Sequence, residues 1–408
     1  MDLFQKCDDF TRVDQAIELG LYPYFHMLTS GQDTEVIMEG HRTLMFGSNN
    51  YLGLTSDPRV KEASIRAVEK YGSGCSGSRF LNGTLDIHVE LEEALAGFLH
   101  KEAALIVSTG FQTNLSIISA IAGRNDYILS DAMNHASIVD GTRLSFARTL
   151  KFKHSDMADL ERLLNHCTAD EKAGILIVTD GVFSIEGEIC NLPEIVRLAR
   201  KYGARVMVDD AHSIGVLGEH GRGTAEYFGL DDGVDIIMNT FSKTLASLGG
   251  CIAASKKVIN YIKHNARPFI FSASIAPSQV AAARESLRIL ENEPQRVHRL
   301  NEIAAYMKHG LQKLPHIHVY DSGNDIVPII PILTGSVGRT LFTAHVLLEN
   351  GVYVNPVLPP AVLKDSCLQR TSYTATHTNA QLDEGLAIFG EVFAQIAAMT
   401  EVNFDIDL

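Results

Sequence analysis

Between about Ala103 and Ser255, short apolar runs alternate with helical patterns: ALIVST, YILSDA, TLKFKH, GILIVTD, ARVMVDDAH and VDIIMNTF. Strands interleaved with helices assemble into a mostly parallel sheet, because parallel neighbours need a crossover long enough to hold a helix, and those helices cover both faces. The middle of the chain is therefore predicted to be an α/β fold. One intervening helix, NLPEIVRLARKYG, carries its own stop in Gly203. Ligands of such sheets gather at the carboxyl ends of the strands, so polar residues just after these runs are the first candidates for chemistry.

Beyond Glu291 the pattern changes to a long helix at roughly residues 295–314, a strand at IVPIIPIL, a helix at GRTLFTAHVLLENG, strands around VYVNPV and LQRTSYTA, and a final helix from about Asn379. Three segments are expected: residues 1–50, a helix and short hairpin that pack elsewhere; residues 51–292, the large domain; and residues 293–408, a smaller α+β domain. At 408 residues and 46% hydrophobic the chain is long enough to build them. Its 49 acidic against 35 basic residues give a formal charge of -14, which repels a phosphate backbone and argues against nucleic-acid binding. Cys7, Cys75, Cys167, Cys190, Cys251 and Cys367 are scattered, with no Cys-x-x-Cys pair to chelate a metal, and read as reduced thiols of a cytoplasmic protein. MDLFQKCDDF is too acidic for a signal peptide, and no apolar run approaches the ~20 residues that span a bilayer. At most a peripheral membrane association is expected.

Four strand ends carry reactive side chains. NTFSKTLASLGG (Asn239 to Gly250) places Lys243 after a hydroxyl-rich turn and before a small-residue loop. An amine there can form a Schiff base with an aldehyde cofactor; burial would lower its pKa and sharpen it as a nucleophile, while Thr240 and Ser242 can donate to a phosphate. Alone, the pattern also describes an ordinary loop lysine. VMVDDAHSIG ends a strand at Asp209, with His212 three residues on. A carboxylate beneath a pyridine nitrogen keeps it protonated, so that the ring is an electron sink. A structural Asp-x-x-His pair is the other reading, and the Ser-Lys turn about thirty residues later in the same sheet favours the first.

STGFQTN (Ser108 to Asn114) opens directly from a strand into a helix whose free N–H groups suit a phosphate, although capping by a hydroxyl gives the same sequence. His135, in DAMNHASI, can stack on a cofactor ring or cap the helix that follows. YGSGCSG matches a dinucleotide fingerprint in spelling only, since a helix precedes it where a strand is required; it reads instead as a flexible loop near a substrate. The basic stretch SKKVINYIKHNAR, with Lys256, Lys257, Lys263 and Arg267, is either a solvated helix face or a guide for an anionic thioester.

With these residues laid out, the chain resembles the α-oxoamine synthase family of fold-type I pyridoxal-phosphate (PLP) enzymes over nearly its whole length. The resemblance rests on SNNYLGL, GSGCSGSRFLNGTLDIHVELEEALAGF, STGFQTN, NHASIVDGTRLS, TDGVFSIEGEICNLPEI, VMVDDAHSIGVLG, TFSKTLASLGG, HNARPFIFSAS and ATHT, in that order. It implies a PLP-dependent transferase fold of type I, with a mostly parallel central sheet, helices on both faces and a smaller α+β C-terminal domain. It implies Lys243 as the Schiff-base lysine, Asp209 at the pyridine nitrogen, His135 stacked on the ring, and His212 at the phenolic oxygen with Ser184 nearby. Gly110, Phe111 and Thr240 would hold the phosphate, in segments that also carry Ser108, Thr109 and Ser242, and Ser272 would reach it from the neighbouring subunit. Arg370 matches the arginine that pairs with the substrate α-carboxylate, and Asn50 would lie near the amino acid. A homodimer with shared active sites follows from the resemblance.

GSRFLNGT and VNPV are most similar to the lipid-making branch of that family. The reaction this implies is a decarboxylative Claisen condensation of L-serine with a long-chain acyl thioester, on coenzyme A or a carrier protein, giving a 3-ketosphinganine-like base for sphingolipid synthesis. Asn239, Cys251, Thr371 and Tyr373 depart from the expected pattern. The alternatives are a cysteate-using enzyme of sulfonolipid synthesis, for which Asn239, Thr371 and Tyr373 would be sulfonate donors, and the sister enzymes that use glycine with acetyl-CoA or alanine with pimeloyl-CoA.

Overall fold

The computed structural model describes residues 2–399, which form two compact units, one of residues 49–301 and one combining residues 2–48 with 302–399. In the first, seven strands form one sheet: β1 (Ala103–Val107), β2 (Tyr127–Asp131), β3 (Arg148–Phe152), β4 (Ile175–Asp180), β5 (Arg205–Asp209), β6 (Ile236–Thr240) and β7 (Gly250–Ala254). Their spatial order is β1-β7-β6-β5-β4-β2-β3. The block from β6 to β3 is parallel throughout, and β7 runs antiparallel to both β1 and β6. Strands β2, β4 and β6 are buried along their whole length, which is why they read as apolar runs instead of alternating ones, and β7 is buried along its whole length too. Leu105, Val107, Ile128, Val178, Met207 and Ile252 form the centre of this core.

Six of these strands are those the sequence pattern predicts. The seventh, β7, was not among the predicted strands; it begins at Gly250, where the expected small-residue loop ends. Its small residues reflect close packing: a Cβ on Gly250 would stand 2.3 Å from Thr113 Oγ1, on the helix α1 (Gly110–Ile121). Helix α2 (Ala136–Leu144) follows β2, and α3 (Lys256–Asn265) follows β7, with Ser255 accepting the Val258 N–H as its cap. Gly203 ends the helix Leu192–Tyr202 in the left-handed conformation, φ 67°, as its sequence position predicts. The segment after the glycine-rich loop is anchored: Arg79 pairs with buried Glu92 at 2.8 and 3.1 Å, and Glu92 also accepts the Ile106 N–H of β1 at 3.0 Å.

The second unit holds a hairpin, Glu35–Met38 with His41–Met45, extended in parallel by Val352–Tyr353. It also holds a four-stranded antiparallel sheet in the order His318–Val319, Ile329–Gly335, Cys367–Ser372, Asn355–Val357. Leu44 and Phe46 share one core with Met307, Ile330, Tyr373 and Phe389. The first 48 residues thus complete the core of the C-terminal unit, and the boundary with the large unit falls inside the helix Gln295–Lys313. Among the described residues no helix is long and apolar enough to cross a membrane.

Candidate active site

Strand ends β1, β2, β4, β5 and β6 converge on a cavity of about 310 Å³ in the large unit. Ten of the residues singled out in the sequence line it: Thr109, Gly110, Phe111, His135, Ser184, Asp209, His212, Thr240, Ser242 and Lys243. A larger hollow of about 940 Å³ in the other unit, around His26, Arg42 and His345, contains none of them.

Lys243 is half-buried on a loop that leaves β6 and returns to β7. The Phe241 N–H donates to Gly249 O at 2.8 Å and the Ser247 N–H to Phe241 O at 2.9 Å, so the loop is closed on itself and holds the lysine at the strand end. Thr240 Oγ1 lies 3.0 Å from Ser242 Oγ. Opposite them, α1 begins at Gly110. Thr109 accepts the Gln112 N–H at 3.2 Å, so the hydroxyl cap and the free helix N–H groups coexist. A Cβ on Gly110 would meet Thr240 Oγ1 at 2.4 Å; only glycine lets the helix start approach that hydroxyl.

Asp209 is buried at the end of β5. Its Oδ1 accepts the Ala211 N–H at 3.0 Å and its Oδ2 accepts Asn114 Nδ2–H at 2.7 Å. Asn114 is itself fully buried and also donates to Ser137 Oγ at 2.8 Å. Ser137 bonds His135 Nδ1 at 2.7 Å, and the same nitrogen lies 3.2 Å from the Ser137 backbone N–H. His135 is thus the cap of α2, the alternative weighed from the sequence, while its ring still borders the cavity. Desolvation by the surrounding protein holds its pKa below the usual histidine range, helped by Lys243 and opposed by Asp209. His212 Nδ1 shares a 2.6 Å hydrogen bond with the hydroxyl of fully buried Tyr51.

Behind the wall, His154 Nδ1 lies 2.8 Å from Asp131 and Nε2 3.0 Å from Glu188, its ring edge-on to Phe183 at 4.4 Å. Burial opposes its charge, but the two carboxylates prevail and push its pKa up to about 10. The clamp secures the segment that brings Val182 and Ser184 to the cavity.

Other expected site residues lie off the lining. Ser108 donates to Ala273 O, and Ser272 Oγ accepts from Gln112 Nε2 at 2.9 Å. Asn50 is buried and accepts the Leu54 and Thr55 N–H groups at 3.0 and 3.3 Å. Arg370 is buried on the strand Cys367–Ser372 of the second unit. Asn239 sits on β6 between Met238 and Thr240, both of which line the cavity; alternation points it to the opposite face. Thr371 donates its hydroxyl to Ile330 O at 2.7 Å, and Tyr373 packs in the core against Phe46, ring centroids 5.1 Å apart. Lys256 and Lys257 lie at the end of β7 that pairs with the start of β6, away from the cavity. Four participants had no role in the sequence reading: Asn114, Ser137, Tyr51 and Asp180. Asp180 carried a usable signal, since ILIVTD ends in an aspartate just as VMVD does.

A family model described as aminotransferase class I and II matches residues 42–389. A serine palmitoyltransferase of Sphingobacterium spiritivorum is 50% identical over 96% of this chain and 97% of its own length. An 8-amino-7-oxononanoate synthase of Lysinibacillus sphaericus is 43% identical over 92% of this chain and 95% of its own. Among solved structures, a high-resolution structure of SPT with PLP internal aldimine superposes with a TM-score of 0.94 at 34% identity, covering 97% of this chain and all of the other.

Proposed function

The chain belongs to the aminotransferase class I and II family, and on that premise we propose that it is a PLP-dependent acyltransferase that condenses L-serine with a long-chain acyl thioester and releases carbon dioxide and the free thiol. The observation that carries this reading is the meeting of Lys243, Asp209, His135 and His212 with the start of α1 in one cavity. The names of the most similar relatives support it.

The residues present fit PLP. The glycine-permitted contact between α1 and Thr240 leaves helix N–H groups and two hydroxyls that would hold a phosphate, Asp209, hydrogen-bonded on both oxygens, would stand at a ring nitrogen, and Lys243 is the one lysine among the described residues of the lining. When bound, PLP supplies an electron sink beside the substrate α-carbon and again beside the carboxylate that is lost. Lys243 Nζ takes the α-proton of the amino acid. The hydrogen bonds from Asn114 and Ala211 fix Asp209, Ser137 fixes the His135 ring, and Tyr51 fixes His212. Arg370 is assigned to the substrate carboxylate and Asn50 to the neighbourhood of the amino acid. The working form is a cytoplasmic homodimer in which Ser272 serves the partner's phosphate site.

Serine is preferred to cysteate on electrostatic grounds. A sulfonate is a second permanent anion, costly to desolvate without donors. Among the described residues of the lining Lys243 is the one basic side chain besides the histidines, Arg370 is already assigned to the carboxylate, Asn239 points to the opposite face of β6, the Thr371 hydroxyl is given to Ile330 O, and Tyr373 packs on Phe46. The test is to titrate the holoenzyme with serine, cysteate, glycine and alanine while following the cofactor's visible spectrum, then to compare kcat/KM with a palmitoyl thioester. Serine is expected to lead. A preference for cysteate would overturn the choice, as would one for alanine, the substrate class of the synthase named among the relatives.

A further inference from the structure

We propose that Asp180 is held as the neutral acid beside Asp209, and that Asp180 positions His135. Asp180 ends β4 as Asp209 ends β5, and the two are direct register partners on parallel strands. Such partners point to the same side at a spacing of about 4.8 Å, where two buried anions would repel each other strongly. The donors favour Asp209, which receives one on each oxygen, from Ala211 and Asn114. Asp180 receives the His135 N–H at 3.2 Å on Oδ2, while its Oδ1 is buried without a partner.

Asp180 is 3% exposed. Burial first, and the charge of Asp209 second, raise its pKa well above the carboxylate range, against Lys243 and the His135 N–H and with a further push from Asp131. Asp210, itself raised to about 6 by burial, is the other acid beside this strand end, against Gly181. Through Oδ2 the neutral acid anchors the backbone of His135, the residue whose ring borders the cavity. That positioning role rests on the PLP reading; the charge state does not.

An acid with a folded pKa above its unfolded value reduces folding stability as pH rises from the unfolded pKa to the folded one. The experiment is urea unfolding of the cofactor-free protein from pH 5 to pH 9, comparing native with D180N, which mimics the protonated acid. The folding equilibrium of D180N is expected to gain on native with pH, by up to about tenfold per unit. D180S, which keeps an acceptor for the His135 N–H, should show the same trend should D180N fold poorly. In the holoenzyme, D180N should retain the visible spectrum and flatten the alkaline limb of the kcat/KM profile. A native-to-variant difference that does not change with pH, or that reverses, would overturn the neutral acid. The trend in cofactor-free protein stands whether or not PLP is the ligand, so failure of that reading is separately visible.

Discussion

Replacing His154 with glutamine removes a cation that bridges two carboxylates at 2.8 and 3.0 Å. The histidine pKa rises from 6.5 to about 10, which is three and a half tenfold steps in proton affinity at about 1.4 kcal/mol each, or at most about 5 kcal/mol. The side chain is 20% exposed, and breaking buried pairs costs about 3–5 kcal/mol, so the two measures agree in scale. The sign follows from a raised pKa: the stabilisation is complete below pH 6.5 and is lost as pH climbs through about 10. The advantage of native over H154Q is therefore expected to fall from about 5 kcal/mol at pH 6 to about 3 at pH 8 and under about 1 at pH 10. Urea unfolding of the cofactor-free protein, followed by far-UV circular dichroism because the chain has 0 tryptophans, measures it. A difference that stays constant across this window would refute the protonated clamp.

Borohydride reduction of the holoenzyme and peptide mapping should recover the pyridoxyl group on Lys243; recovery on another lysine would displace it from the site. G110A is expected to weaken cofactor binding about 5- to 150-fold, since its Cβ would press on Thr240 Oγ1 at 2.4 Å, an overpacking of about 1–3 kcal/mol that equilibrium dialysis would read. N114L leaves the Asp209 Oδ2 without its 2.7 Å donor and should lower stability by about 1.5–3 kcal/mol in urea titrations. Reversing Lys256 and Lys257 should leave the thioester KM unchanged even at low salt, because they stand at the far end of the sheet from the cavity; a raised KM would restore their guiding role.

Much of this was legible locally. A buried parallel strand is a continuous apolar run, and a helix start after a glycine or a lysine after a hydroxyl turn has its own short spelling. Hence six strands of the sheet, the start of α1, and Lys243, Asp209 and His212 could be placed from the sequence alone. Strand β7 escaped because its small residues, chosen by the close approach of α1, resemble those of a loop. The facing of Asn239 needed the register of β6, and the destination of residues 1–48 needed the core that Leu44 and Phe46 share with Phe389.

By itself, then, the sequence determined the order of elements and which strand ends carry reactive groups, since both depend on neighbours within a few residues. Only the tertiary structure decided which of those groups meet and what charge they hold. Asp180 and Asp209 have the same local spelling, yet Asn114, 95 residues from Asp209, donates to one of them and not to the other. Donor supply and desolvation are set by atoms brought together across the fold, and at buried strand ends they decide which acid keeps its proton.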